Sequence, residues 1–274
     1  MGYESFYNLK EHPFSFSTDE KFYYDAPQHS KALLKLTHAV DTEKGLALLI
    51  GDIGMGKTTL SRRLLDQLIT NGVEATLLVI VHSEITSLWF LKKIALMLEA
   101  SVDSENKIEI ITAVYHRLLE LSNQNKKVVI LIDEANMLRQ REIMEEIRGL
   151  LNLESERGKL LNFVLFGLPD MEEHLKLDRP LYQRIAVRCV LEQLDHEATH
   201  SYIIHRLRVA GCSRPLFTAE AMKAIYQYAG GVPRTINAIC DNALLEGFLL
   251  KKEMIDETII IDVCQDLGLV STEH

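Results

Sequence analysis

The sequence predicts an α/β fold: a five-stranded parallel sheet carrying a phosphate loop, followed by an all-helical lid. Three observations carry this reading. Five short β-rich apolar runs alternate with amphipathic helical patterns between residues 46 and 191. The first run leads directly into Gly51-Asp52-Ile53-Gly54-Met55-Gly56-Lys57-Thr58-Thr59, which satisfies the spacing GxxxxGK[ST]. After residue 194 only helical periodicity remains.

The composition bounds the alternatives. A chain of 274 residues suits one large domain or two modest ones, and at that size a core closes without disulfides or metals. With 47% hydrophobic and 25% charged residues, 6 Pro and 14 Gly, collagen-like, low-complexity and largely disordered classes are excluded. The net charge of −9 argues against a chain that is basic all over, as many dedicated nucleic-acid binders are, while leaving room for a local basic stripe. Cys189, Cys212, Cys240 and Cys264 form no CxxC pair and have apolar neighbours. They read as reduced core cysteines and not as a zinc site. The longest apolar runs are strand-sized, well short of the roughly 18–20 residues of a membrane span. The polar and aromatic start does not fit a signal peptide. The expectation is a cytoplasmic protein with no membrane insertion.

Each element follows in order. Residues 1–27 are rich in aromatics (Phe6, Tyr7, Phe14, Phe16, Phe22, Tyr23, Tyr24) and read as a strap over the sheet core. Most of these rings are expected to be core, with Tyr24 or His29 the candidate to stack near a nucleotide base, since such sites need an apolar slot beside the phosphates. Strands are predicted at 46–50, 75–81, 128–132, 163–166 and 187–191, with helices at 57–68, 87–98 and 108–121. Continuous apolar strands separated by helices mean a parallel sheet covered on both faces. Helical periodicity then runs through 197–209, 219–228, 233–250 and 256–267. The expected organisation is a strap at 1–27, a core domain at 28–194 and a helical lid at 195–274.

The phosphate loop sets the expected chemistry. Its glycines let backbone N–H groups converge on phosphate oxygens, and the following helix adds its positive N-terminus. Lys57 is positioned for the β/γ-phosphates and the Thr58 hydroxyl for Mg²⁺. A second motif, Val128-Val-Ile-Leu-Ile-Asp133-Glu134, ends a buried strand in two carboxylates. Asp133 would sit beside the metal, through a water, and Glu134 would act as general base toward the attacking water. An extra strand at 75–81 lies between the two motifs, the order of the additional-strand ATPases, and no NKxD guanine motif is visible. ATP hydrolysis is therefore preferred to GTP switching.

Several segments resemble one family in particular. They are Glu4-Ser-Phe-Tyr-Asn-Leu-Lys-Glu-His-Pro13-Phe14, Ile132-Asp-Glu-Ala135, Ile147-Arg-Gly-Leu-Leu-Asn-Leu-Glu154, Arg206-Leu-Arg-Val-Ala-Gly211 and Gly230-Gly-Val-Pro-Arg234-Thr-Ile-Asn237. Together they resemble the AAA+ ATPases of the general secretion pathway protein A, or ExeA, type over nearly the whole chain. The resemblance implies a P-loop AAA+ core, a helical lid, ATP and Mg²⁺ as ligands, ring-type or dimeric self-assembly and a protein partner in a secretion, pilus or export machine. It implies that Arg234 is the arginine that reaches the γ-phosphate from the lid. Arg184, just before the fifth strand, matches the finger that enters a neighbouring subunit's site, with Arg179 and then Arg188 as fallbacks. Secretion-type members often carry a membrane helix and a peptidoglycan-binding domain after the lid. The sequence ends at His274 with neither, so no direct cell-wall role is expected. Where the family usually has Gln after the fourth strand, this chain has Leu168, leaving Asn162 as the candidate polar contact. His82 or Ser83 would then be the groups able to hold Glu134 inactive, against the plainer reading of a surface histidine.

Two other readings stay open at the sequence level. Target-selecting ATPases of DNA transposons share a similar core, and the doublets Arg62-Arg63, Lys92-Lys93, Lys126-Lys127 and Lys251-Lys252 offer a DNA-facing surface, or simply solvated helix ends. A slow nucleotide-binding scaffold is the other, favoured by Leu168.

Overall fold

The computed structural model describes residues 2–15 and 19–269, so Phe16 of the aromatic strap lies outside the described residues. The chain divides into two compact units. Residues 27–53 and 57–191 form a sheet unit. The described parts of 1–26 and 192–274, with Gly54–Gly56, form a helical unit.

After a first short helix α1 (Tyr3–Tyr7), the sheet unit opens with α2 (Pro27–Asp41). It continues through β1 (Leu46–Gly51), α3 (Lys57–Thr70), β2 (Glu74–Val79), α4 (Ser87–Met97), α5 (Lys107–Asn123), β3 (Val128–Asp133) and α6 (Arg141–Leu150). A small hairpin of β4 (Glu154–Ser155) and β5 (Gly158–Lys159) precedes β6 (Asn162–Gly167), α7 (Met171–Leu175), α8 (Arg179–Tyr182) and β7 (Ile185–Leu191). The five long strands are parallel in the order β2-β3-β6-β1-β7. In β1, β3 and β6 every residue is buried, as strands covered on both faces must be. The pleat sends alternate side chains to opposite faces. Leu46, Leu48 and Ile50 join Val128, Ile130 and Ile132 in a core shared with Phe90 and Ile94 of α4, Val114 of α5 and Ile147 of α6. On the other face α2 and α3 lie side by side against the strands.

Register puts all the functional strand ends on one edge. Ile50 pairs with Gly167, and Val79 with Asp133, so the carboxyl ends of these strands are level. The opposite edge is tied by Asn162. Its Oδ1 accepts from the Gly45 N–H at 3.0 Å and its Nδ2 donates to the Val128 carbonyl at 3.3 Å, joining the starts of three strands.

The helical unit contains α9 (His196–Val209), α10 (Ala219–Ala229), α11 (Pro233–Leu249) and α12 (Glu257–Asp266). Asp195, Thr218 and Asp256 cap three of their N-termini by accepting backbone N–H bonds. Gly231, at φ +72°, admits no side chain: a Cβ there would come 1.9 Å from the Leu194 carbonyl oxygen.

The strap corrects one expectation. Tyr3, Tyr7, Phe14 and Phe22 pack with Ile203, Leu207, Ile236 and Leu244 in the core of the helical unit and do not form part of the sheet's core cluster. Their rings pack among apolar residues of α9 and α11. Polar ends fix the strap in place. Tyr7 Oη donates to the Lys252 carbonyl at 3.0 Å, and burial pushes this phenol up to about 12. Tyr3 Oη donates to Asp241 at 2.5 Å. The buried Arg206 donates through Nε to the Pro13 carbonyl (2.5 Å), through Nη2 to the Ser15 carbonyl (3.1 Å) and through Nη1 to Tyr202 Oη (2.9 Å). Its guanidinium also lies 5.0 Å from the Phe22 ring centre. Phe14 is fully buried, so Phe14→Ala should destabilise this unit by about 3–5 kcal/mol. Urea unfolding followed by circular dichroism measures it, and a loss below about 1 kcal/mol would remove the strap from the core.

Cys240 and Cys264 sit in the same core with their thiols raised by burial, Cys264 to about 11, so both stay protonated at neutral pH. Among the described residues no helix is long and apolar enough to cross a membrane.

Candidate functional site

The site begins where β1 leaves the sheet at Gly51. The chain needs two left-handed turns to bend back into α3, and glycine supplies them at Gly54 (φ +82°) and Gly56 (φ +91°). Met55 is buried between them and anchors the loop, while Asp52 and Ile53 are exposed at its rim. The loop therefore encloses a concave run of backbone N–H groups capped by a helix N-terminus, an arrangement suited to phosphate. Lys57 is buried, and its Nζ donates to the carbonyls of Gly51 (2.9 Å) and Asp52 (3.0 Å). Its charge is thus held inside the loop. Thr58 and Thr59 are half-buried on the first turn of α3.

Asp133 ends β3 and is fully buried. Its Oδ1 accepts from the Glu134 backbone N–H at 3.0 Å, and its Oδ2 lies 3.4 Å from the Ser61 hydroxyl. Ser61, one turn along α3, also lies 3.0 Å from the Thr58 carbonyl, so its single proton is shared between two acceptors. Sequence reasoning missed Ser61. Only its position one helical turn after Thr58 would have pointed to it. Ser61 thus ties the first turns of α3 to the carboxylate that ends β3.

Glu134 is half-buried and adopts the left-handed conformation (φ 54°, ψ 35°), which costs an ordinary side chain about 1–2 kcal/mol. Strain of this kind recurs at functional sites and here also in the turns after α2 and α4, at Glu43 and Glu99. Asn136, also missed, is buried two residues on, and its Oδ1 accepts from the Leu168 N–H at 3.2 Å. The backbone at Leu168 is thereby fixed even though its side chain is apolar. Asn162 takes no such role: it lies at the opposite strand edge with both amide groups engaged there. Neither His82 nor Ser83 is hydrogen-bonded to Glu134 among the described residues, and the His82 ring instead tilts against Trp89 at 6.2 Å.

Arg184 is exposed in the turn between α8 and the edge strand β7, its N–H bonded to the Leu181 carbonyl at 2.9 Å. Arg179 is exposed as well. Arg188 is engaged, paired with Glu172 at 2.9 Å and bonded to Tyr182 Oη at 2.9 Å. Within the helical unit, Arg234 is the second residue of α11 and its N–H donates to the Gly54 carbonyl at 3.3 Å. Tyr24 packs edge-on against Tyr202 and tilts toward His205 in that unit, and His29 is buried on α2. Of the basic doublets, Lys92, Lys126 and Lys252 are paired with Glu105, Glu74 and Asp256.

Residues 40–175 match the family model described as AAA domain. The chain belongs to the AAA+ family. This AAA+ chain is 37% identical over 249 residues to General secretion pathway protein A of Aeromonas hydrophila, across 90% of its own length and 45% of that relative's. It therefore spans less than half of the curated relative. Solved structures share the AAA+ fold. Cdc6p from Pyrobaculum aerophilum superposes with a TM-score of 0.69 at 14% identity, covering 90% of this chain and 70% of that one. The Aeropyrum pernix ORC1 protein in complex with DNA gives 0.64 at 17% identity, covering 89% and 66%.

Proposed function

We propose that this protein binds and hydrolyses Mg·ATP and acts through nucleotide-dependent association of its copies. Its cytoplasmic work is to assist assembly of a secretion, pilus or export machine. The observation that supports this most is the hydrogen bond from Ser61, on the helix that follows the glycine loop, to the buried Asp133 that ends β3. Asp133 is paired with no side-chain cation among the described residues, and its two partners are an N–H and a hydroxyl. A carboxylate oxygen and a threonine hydroxyl suit magnesium, which keeps most of its waters and takes one or two protein oxygens alongside phosphate. Thr58 and Asp133 would hold the ion, which when bound neutralises phosphate charge.

The chain's own residues have distinct parts. The N–H groups of residues 51–59 cradle the phosphates, and Lys57 leaves the Gly51 and Asp52 carbonyls to meet the β/γ-phosphates. Glu134 accepts the proton of the attacking water. Arg234 contacts the γ-phosphate, and Arg184 serves the site of a neighbouring copy. Tyr24 or His29 contacts the base. The secretion role rests on the similarity to General secretion pathway protein A.

Lys57→Ala tests the site. Removing the buried ammonium should abolish useful ATP affinity while the fold persists, because the side chain faces the loop and not the apolar core. A calorimetric titration showing undiminished ATP binding by the folded variant would overturn the assignment.

A further inference from the structure

The opposite edge of the sheet holds a second concentration of charge. A cavity of about 170 Å³ opens among the strand starts, lined by Lys126, Lys127, Arg157 and Lys159 against one carboxylate, Glu43. Lys126-Lys127 precede β3, Glu43 precedes β1, and the hairpin β4–β5 contributes Arg157 and Lys159. All belong to the sheet unit. Six-residue strands put this edge roughly 20 Å from the glycine loop. Parallel α/β sheets ordinarily place their ligands at the carboxyl edge, so the cluster has no part in the nucleotide site.

The pairing within the cluster is incomplete. Lys126 is matched by Glu74 at 2.9 Å and Lys159 by Glu154 at 2.7 Å. Among the described residues Lys127 and Arg157 touch only neutral acceptors. Lys127 Nζ donates to the Asp41 carbonyl at 2.6 Å. Arg157 Nη1 donates to the Ser122 carbonyl (3.0 Å) and Asn125 Oδ1 (2.9 Å). Those two bonds hold one edge of the guanidinium against the end of α5 and leave the other edge of the planar fork for a ligand. A fixed guanidinium beside an ammonium with spare donors is the arrangement that recognises phosphate oxygens. Lys127 and Arg157 therefore face one cavity with no ion-pair partner among the described residues.

We propose that this cavity is a second oxyanion site, taking a phosphate or diphosphate group through Arg157 and Lys127. Glu43 weakens the site by repulsion and sets its affinity. The phosphate comes either from a small phosphorylated molecule or from a nucleic-acid backbone, and the chemistry of capture is the same.

The test uses full-length protein carrying Lys57→Ala, so that the glycine loop does not compete. Inorganic pyrophosphate titrated calorimetrically should bind once per chain. Adding Lys127→Gln with Arg157→Gln should weaken it by about tenfold or more, since each removes a charged hydrogen bond. Glu43→Gln should tighten it severalfold. Lys126→Gln, whose charge Glu74 already balances, should change it less than about twofold. A duplex oligonucleotide forms the second arm. If it binds with a salt dependence that flattens by about one to two contacts in the Lys127→Gln/Arg157→Gln protein, the phosphate is that of a nucleic acid. Binding of pyrophosphate alone assigns a small molecule. Binding of neither ligand, or pyrophosphate binding unchanged by loss of Lys127 and Arg157 in a chain with native circular dichroism, overturns the proposal. So does an equal loss from Lys126→Gln.

Discussion

Arg184→Ala is expected to leave ATP binding by the isolated chain near wild type and to lower hydrolysis by the assembled protein by about 10³–10⁵-fold. The guanidinium stands exposed beside an edge strand and makes no ion pair among the described residues, so it is available to another molecule. A planar, permanent charge meets phosphoryl oxygens best as their charge grows in the transition state. Acting on a neighbour, it makes activity per chain rise with protein concentration, and the variant should flatten that rise. Mixing Arg184→Ala with Lys57→Ala should restore activity, one chain supplying an intact loop and the other the arginine. Absence of rescue in a mixture shown to co-assemble would exclude action in trans. Arg179 would then be the next arginine to test, because Arg188 is held by Glu172 and Tyr182.

Glu134→Gln is expected to keep ATP binding and to lose hydrolysis by about 10²–10⁴-fold, since the amide fills the same space but takes no proton from water. The chain should then accumulate in its ATP-bound, associated state, which light scattering with and without ATP will show. Wild-type turnover by this variant would transfer the base to another group. Circular dichroism should be unchanged, because Gln at 134 faces the same left-handed backbone as Glu.

The parts of this molecule that were legible in the sequence are those whose signal is local. The apolar runs marked all five long strands to within one or two residues, and the GxxxxGK[ST] spacing marked the turn from β1 into α3. The run at 163–166 fell one residue short at each end because Asn162 and Gly167 break the apolar pattern. The helix Pro27–Asp41 was not read, its stripe of Ala32, Leu33, Leu36 and Val40 being diluted by an equally exposed polar face and by Leu34. The hairpin at Glu154–Lys159 is wholly polar apart from glycine and gives no period at all. Nonlocal pairings were invisible for a different reason. Ser61 and Asp133 are 72 positions apart, and only the fold brings the hydroxyl to the carboxylate. The strap's aromatic character was plain, but composition says that rings will be buried without saying in which core.

That strap has a consequence for how the chain comes into being. Tyr7 and the Lys252 carbonyl that receives its hydroxyl are 245 positions apart. On a ribosome adding 5–20 residues per second, roughly 12–50 s separate the synthesis of the two. All five long strands lie between Leu46 and Leu191, so the sheet can close once β7 has emerged. The helical unit cannot, because its first aromatic residues wait for α11 and α12. Until then Tyr3, Tyr7, Phe14 and Phe22 form an apolar segment of the nascent chain, open to chaperones and to neighbouring chains on the same message. Residues made before the sheet settle after it.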